Sequence, residues 1–240
     1  MTLEEILNHR RSIRNYKDQA IDTQKVKRCL ELATLSPSSS NMQMWEFYHV
    51  TQPEVLKELS VACLNQGAAS TAKELVVFVT RQDLHRKRAK QVLAMQTENT
   101  LKTSPLDKQE KRIKNWQLYY GKVMPFLYTR FGGLLGLVRK LLVNIVGLFR
   151  PITYQVSECD ARVSVHKTCA LAAQTFMLAM ANEKYDTCPM EGFDSKRVKR
   201  ILNLPCGAEV NMIISCGIRE DNGVWGDRTR IPFTEVYHQV

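Results

Sequence analysis

The sequence predicts an α+β fold, a mixed sheet wrapped by helices, on three observations. Residues 160–185 are dense in Ala, Leu and Met and meet no Gly or Pro until Pro189, the pattern of a long core helix. Leu75-Val76-Val77-Phe78-Val79 is a continuous apolar run of strand length, which suits a strand covered on both faces. Around these two, helical and strand patterns alternate irregularly, with no internal repeat and no low-complexity stretch. At 240 residues, one domain spanning 1–240 is long enough to bury its own core.

In chain order, a short helical start at 2–7 precedes a helix from Asp22-Thr23, with Val26, Cys29, Leu30 and Ala33 on one face, ending before Pro37. Pro37-Ser38-Ser39-Ser40-Asn41 is a loop by composition, followed by a strand at 45–50 and a helix at 53–63. Residues 81–115 are basic and helix-compatible, with Pro105 as a break. Residues 131–149 place Leu134, Val138, Leu141, Leu142, Ile145 and Leu148 on one helical face and Gly136, Lys140, Asn144 and Gly147 on the other. Arg139 and Lys140 in mid-run argue against a spanning helix and for an amphipathic one that acts as a lid, a dimer contact or a membrane-surface contact. After the long helix, Pro189–Phe193 reads as a Gly-containing turn. A helix at 194–203 capped by Asp194, a strand at 210–216, a turn at Asn222-Gly223 and an extended tail over 228–237 complete the chain.

The net charge of +10 is local. Residues 81–157 hold fifteen Lys and Arg against four Asp and Glu, a charge of +11, which leaves −1 for everything else. The basicity therefore belongs to an insertion at 81–157 and not to the body of the fold. That insertion mixes its charge with an apolar helix and lacks an aromatic stacking platform, which argues against nucleic acid as a partner. Seven scattered cysteines without a CxxC pair suggest neither a disulfide framework nor a zinc ribbon. His166 and Cys169 lie three apart on the long helix, and nothing marks them as a metal or nucleophile pair. No secretory signal is read at 1–8, and a cytoplasmic location is expected, with a possible peripheral contact to membrane through 131–149.

Chemistry concentrates in four pieces: Arg10-Arg11-Ser12-x-Arg14, Pro37-Ser38-Ser39-Ser40-Asn41-x-Gln43-x-Trp45, Pro189-Met190-Glu191-Gly192-Phe193, and Arg228-x-Arg230. Guanidinium forks at both chain ends suit phosphate oxygens, and a polar loop with a Gly turn suits the rest of an aromatic phosphate ester. No catalytic triad accompanies them.

These pieces, in this order, resemble the nitroreductase family of flavin mononucleotide (FMN) enzymes over about 1–80 and 158–240. The resemblance implies a central mixed or antiparallel sheet flanked by helices, in an intertwined homodimer with FMN sites between the subunits. It implies that Arg10, Ser12, Arg228 and Arg230 bind the phosphate and ribityl end, with Arg11 and Arg14 nearby and Arg14 reaching the N1/O2 edge of the flavin. Pro37, Ser38, Ser39 and Asn41 would come from the partner subunit, Asn65 would lie at the flavin edge, and the turn at Glu191 and Gly192 would face N5. A fixed cation at N1/O2 stabilises the charge that appears there on reduction, so no residue acts as a nucleophile. The implied activity is ping-pong transfer of hydride from NAD(P)H, through bound FMN, to small-molecule nitroaromatic, quinone-like or other conjugated electrophiles. Reductive dehalogenation or dehydrogenation on the same fold is the alternative. Ala68 stands where some members carry a lysine, one cation fewer at that edge.

Overall fold

β2 (Glu74–Thr80) runs through the middle of the molecule with all seven residues buried, as its unbroken apolar run requires. It pairs on one side with β1 (Trp45–Val50) and on the other with β4 (Glu209–Gly217), and β3 (Asp186–Met190) closes the order β1-β2-β4-β3. The computed structural model describes residues 1–240. Every strand pair is antiparallel, and the one parallel contact is an isolated bridge between Ser12 and Thr187. The mixed sheet expected from the sequence is thus antiparallel within this chain.

Alternation along the two central strands supplies two cores. Val76, Phe78, Ile214 and Cys216 point to one face, where α2 (Thr23–Ala33) and α9 (Glu158–Asn182) cover them with Val26, Cys29, Phe176 and Met180. Leu75, Val77, Val79 and Ile213 point to the other, beneath α3 (Pro53–Ala62), α4 (Gly67–Ser70) and α10 (Ser195–Ile201). The long helix α9 begins two residues before the expected 160, because Ser157 and Asp160 form a reciprocal capping box. It stops before the expected 185, where Lys184 turns left-handed at φ 62°.

The edge strand β3 is not expected from the sequence, which reads its Pro189 as part of a turn. An edge strand tolerates the missing N–H because its outer side, bridged to Ser12 only at Thr187, is unpaired at Pro189. The tail after β4 contains one short helix, α11 (Phe233–Val236), within the segment expected to be extended.

The insertion is helical: α5 (His85–Thr103), α6 (Leu106–Leu118), a π-turn at Tyr119–Val123, α7 (Met124–Tyr128) and α8 (Leu134–Gly147). No helix is long and apolar enough to cross a membrane. In α8 the glycines face inward: a Cβ on Gly136 would sit 3.0 Å from the Glu158 nitrogen, and one on Gly147 would strike the Tyr154 hydroxyl. The apolar face of Leu134, Val138, Leu141, Leu142, Ile145 and Leu148 is exposed in the single chain. The two mid-run cations part company, with Lys140 outside and Arg139 only 1% exposed. Arg139 donates to the Thr129 carbonyl at 2.5 Å and lies 5.2 Å from the Phe126 ring centroid, so it touches neither lipid nor solvent. Its Nε and Nη1 have no partner, and burial pushes its pKa down against the opposing pull of Glu158. A buried, partly unsatisfied charge costs more than an apolar side chain of similar length. Arg139→Met is therefore expected to raise stability by about 1 kcal/mol, read as a higher midpoint in urea; a lower midpoint would contradict this account.

Glu209 on β4 ties the insertion to the body, accepting from Arg130 of the insertion at 2.7 Å and from Arg162 and His166 of α9. Burial alone would raise its pKa, but these three donors outweigh burial and hold it at about 2. A carboxylate depressed in the folded state contributes stability above its unfolded pKa of about 4.3 and loses it as pH falls toward 2. The group remains partly solvated, so Glu209→Gln should cost about 1 kcal/mol at neutral pH. The gap between wild type and variant should close between about pH 4.5 and pH 2; a gap that persists across that window in thermal melts would show that the charge is not what matters.

Candidate active site

The arginine segment is positioned by the ends of the chain. α1 (Leu3–His9) starts with a Thr2–Glu5 capping box and stops at Arg10, whose backbone turns extended. From there the strand-like segment is anchored by Ile13, fully buried with its N–H on the Thr187 carbonyl, and by Tyr16, whose hydroxyl lies 2.8 Å from Ser215 Oγ. Arg14 donates its N–H to Gly223 O at 2.8 Å. With Ile13 and Tyr16 fixed inward, Arg10, Arg11, Ser12 and Arg14 line a cleft of about 290 Å³.

The other wall is the returning tail, with Trp225, Asp227, Arg228, Thr229 and Arg230. Arg228 donates to the carbonyls of Leu7, Asn8 and Arg10 at 2.8 to 3.1 Å, satisfying acceptors at the end of α1 that the helix leaves unpaired. Arg11 donates to Gly226 O, and the Arg14 guanidinium lies 5.4 Å from the Trp225 ring centroid. None of Arg10, Arg11, Arg14, Arg228 and Arg230 forms an ion pair with a carboxylate. Burial, then repulsion from Arg228 and Arg230, pushes the Arg10 pKa down. Five guanidiniums converge on one cleft with only Asp227 nearby, a donor set that an anionic group such as a phosphate completes.

A second group adjoins this cleft. Gly67 approaches Arg14 so closely that a Cβ on it would lie 2.8 Å from the Arg14 carbonyl oxygen. Just before it, Leu64 and Asn65 are left-handed, at φ 61° and 52°, and Gln66 Nε2 donates to Cys63 O at 3.0 Å and Gly192 O at 2.7 Å. Asn65, Glu191 and Gly192 thus share one exposed edge, and the Gly192 N–H has no acceptor in the chain. Gln66 and Trp225 were not expected from the sequence. Gln66 lies beside the expected Asn65, whereas a lone exposed Trp225 carries no sequence signal.

Pro37, Ser38, Ser39 and Asn41 are not brought to that cleft. Their loop packs on α9, with Ser36 Oγ donating to Thr175 Oγ1 at 2.7 Å and the Ser39 N–H to Thr168 Oγ1 at 3.4 Å. Ser40, Asn41 and Gln43 are all left-handed, strained backbone that surrounding contacts must hold. Three tyrosines of the insertion do so: Tyr128 donates to Ser39 Oγ (3.2 Å), Tyr120 to Ser40 O (3.0 Å), and Tyr119 shares a 2.7 Å hydrogen bond with Ser40 Oγ. The π-turn sets Tyr119 and Tyr120 side by side. Within one chain, the Ser38–Asn41 loop therefore lies apart from the arginine cleft.

His166 and Cys169 do not form a pair. The ring of His166 is engaged by Glu209 and Asn211, and Cys169 is fully buried with its thiol pushed up to about 12.

A sequence model described as the nitroreductase family matches residues 7–218. MhqN of Bacillus subtilis (strain 168), assigned by name as an NAD(P)H nitroreductase, is 27% identical over 214 residues, 88% of this chain and 86% of its own. YdfN of Bacillus subtilis, assigned by name as a nitroreductase, superimposes with a TM-score of 0.73 at 21% identity, covering 99% of this chain and 98% of its own. A protein from Exiguobacterium sibiricum 255-15, assigned by name as a nitroreductase and solved in complex with FMN, does so with a TM-score of 0.67 at 21% identity, covering 100% and 98%. The two structures establish a shared fold.

Proposed function

The chain belongs to the nitroreductase family, and from that premise we propose an FMN-dependent oxidoreductase that passes electrons from NAD(P)H to nitroaromatic, quinone-like or other conjugated electrophiles in a ping-pong cycle. The observation that carries this reading is the cleft of five guanidiniums without a carboxylate partner, joined through Gly67 to the edge formed by Asn65 and Gly192.

Bound FMN supplies hydride chemistry between NAD(P)H and the acceptor. Arg10, Ser12, Arg228 and Arg230 hold its phosphate and ribityl end, and Arg11 closes the cleft by holding the Gly226 carbonyl. The Arg14 backbone is held by Gly223 and by the close approach of Gly67, and its guanidinium lies by the Trp225 ring, a placement from which it would meet negative charge at the N1/O2 edge of a bound flavin. Asn65 and the free Gly192 N–H, with Glu191 beside it, direct polar groups at the ring edge. Pro37, Ser38, Ser39 and Asn41 serve the second subunit of a homodimer. The chain acts as one domain over 1–240, with the 81–157 insertion shaping which acceptors enter. Purified protein should be yellow, or become so on addition of FMN, with the visible spectrum of an oxidised flavin bleached by NADH or NADPH. A preparation that stays colourless with added FMN overturns this reading.

A further inference from the structure

A cavity of about 660 Å³ lies between the insertion and the first half of α9, outside the arginine cleft. Tyr119, Val123, Met124 and Leu127 line it from the π-turn and α7, Val143 from α8, and Ile152 and Val156 from the strap before α9. Its volume falls within the range of small-molecule sites, and its lining is mostly apolar with a few polar groups, as such sites are built.

The polar groups are not evenly spread. Along α9 the lining residues run Asp160, Ala161, Ser164 and Lys167, one face over about 10 Å at the helical rise. The acid at one end is already spent, since Asp160 accepts from the Ser157 N–H and hydroxyl in the capping box. The cation at the other end has no carboxylate partner. Thr168, the residue after Lys167, accepts from the Ser39 N–H, which places the Lys167 end beside the Ser39–Ser40 loop and the Tyr119 hydroxyl. The Lys167 end therefore offers a free ammonium and hydroxyls, whereas the Asp160 end, with Thr153 and Gln155 on the strap, offers no free charge, and apolar walls join the two.

We propose that this cavity binds an apolar, ring-sized molecule carrying one anionic oxygen group, seated with that group toward Lys167, Ser40 and Tyr119. A neutral arene gains only the apolar walls, a cationic one meets Lys167 unfavourably, and an aryl carboxylate satisfies both the walls and Lys167. The loop carrying Ser39 and Ser40 also holds Pro37, Ser38 and Asn41, which the function proposed above gives to the cofactor of the second subunit, so on that reading the occupant lies next to that cofactor. Its identity as the electron acceptor rests on the function proposed above. Lys167 is exposed, and water screens its charge, so it sets preference more than affinity.

Calorimetric titration of 4-nitrobenzoate and of nitrobenzene into the full chain tests this on wild type, Val143→Trp and Lys167→Gln. Wild type should bind both saturably, the carboxylate more tightly. Val143→Trp, which fills the cavity, should abolish both. Lys167→Gln should weaken 4-nitrobenzoate about fivefold and leave nitrobenzene within about twofold. Absence of saturable binding to wild type, retention of both affinities in Val143→Trp, or an equal effect of Lys167→Gln on both ligands overturns the proposal. Lys167→Gln alters only an exposed side chain, so it decides even where Val143→Trp does not fold. Flavin absorbance of the same samples reports separately on the cofactor: colourless protein that binds 4-nitrobenzoate at this cavity overturns the proposed function and leaves the site standing.

Discussion

Arg10→Met is expected to weaken FMN binding about 10- to 100-fold while leaving riboflavin binding within about twofold. Hydrogen bonds between charged partners contribute about 1.5–3 kcal/mol each, and that range sets the factor. Riboflavin lacks the phosphate, so the comparison isolates the anion contact from everything the ring and ribityl chain do. The same substitution should act in the opposite direction on the protein without cofactor. Arg10 is held down by burial first and by Arg228 and Arg230 second, so removing its charge relieves desolvation and repulsion together. The cofactor-free variant should therefore melt no lower than wild type, and the two should differ less in high salt, which screens the repulsion. A site that costs stability when empty is the expected mark of a binding surface. Equal losses for FMN and riboflavin would show that Arg10 supports the cleft wall and does not meet a phosphate.

The arginine segment was legible only together with Arg228-x-Arg230 and the other distant pieces, since three guanidiniums within five residues are by themselves an ordinary solvated patch; the structure brings the arginines of both segments to one cleft, with Ile13 as the apolar anchor that fixes which way they face. β2 and α9 were legible for a different reason: burial on both faces writes itself as an unbroken apolar run, and a long core helix as a stretch free of Gly and Pro. β3 was hidden by Pro189, because a residue that excludes central strands is neutral on an edge, and edge position is a property of the whole sheet. α8 misled by its charge. Amphipathic patterning sorts residues into two faces without saying which faces inward, and here close packing at Gly136 and Gly147 overrides the apolar stripe and carries Arg139 inside. The tyrosine contacts to Ser39 and Ser40 span 79 to 89 residues of sequence, and the two to Ser40 come from a π-turn that no local pattern announces.

The second large effect concerns the end of the chain. Beyond Arg230 the tail covers nothing in its own chain: Ile231, Phe233, Val236 and Tyr237 are all more than half exposed. Phe233 and Tyr237 stack only on each other, with ring centroids 4.9 Å apart. A four-residue helix such as α11 is too short to hold itself in water, and its exposed apolar side chains offer a surface that a contact outside the chain would order. On the function proposed above, in which Pro37, Ser38, Ser39 and Asn41 serve the cofactor of a second subunit, that subunit is the occupant this tail fits. Deleting residues 231–240 removes that apolar surface and leaves Arg228 on the carbonyls of α1, so the half-site with the arginines stays folded. The truncated protein should sediment as a monomer at micromolar concentration, where the full chain sediments as a dimer. FMN affinity should fall by at least tenfold, since a monomer offers one half-site. Dimers that persist with unchanged flavin content would assign the subunit contact elsewhere, and the exposed face of α8 would be the next surface to substitute.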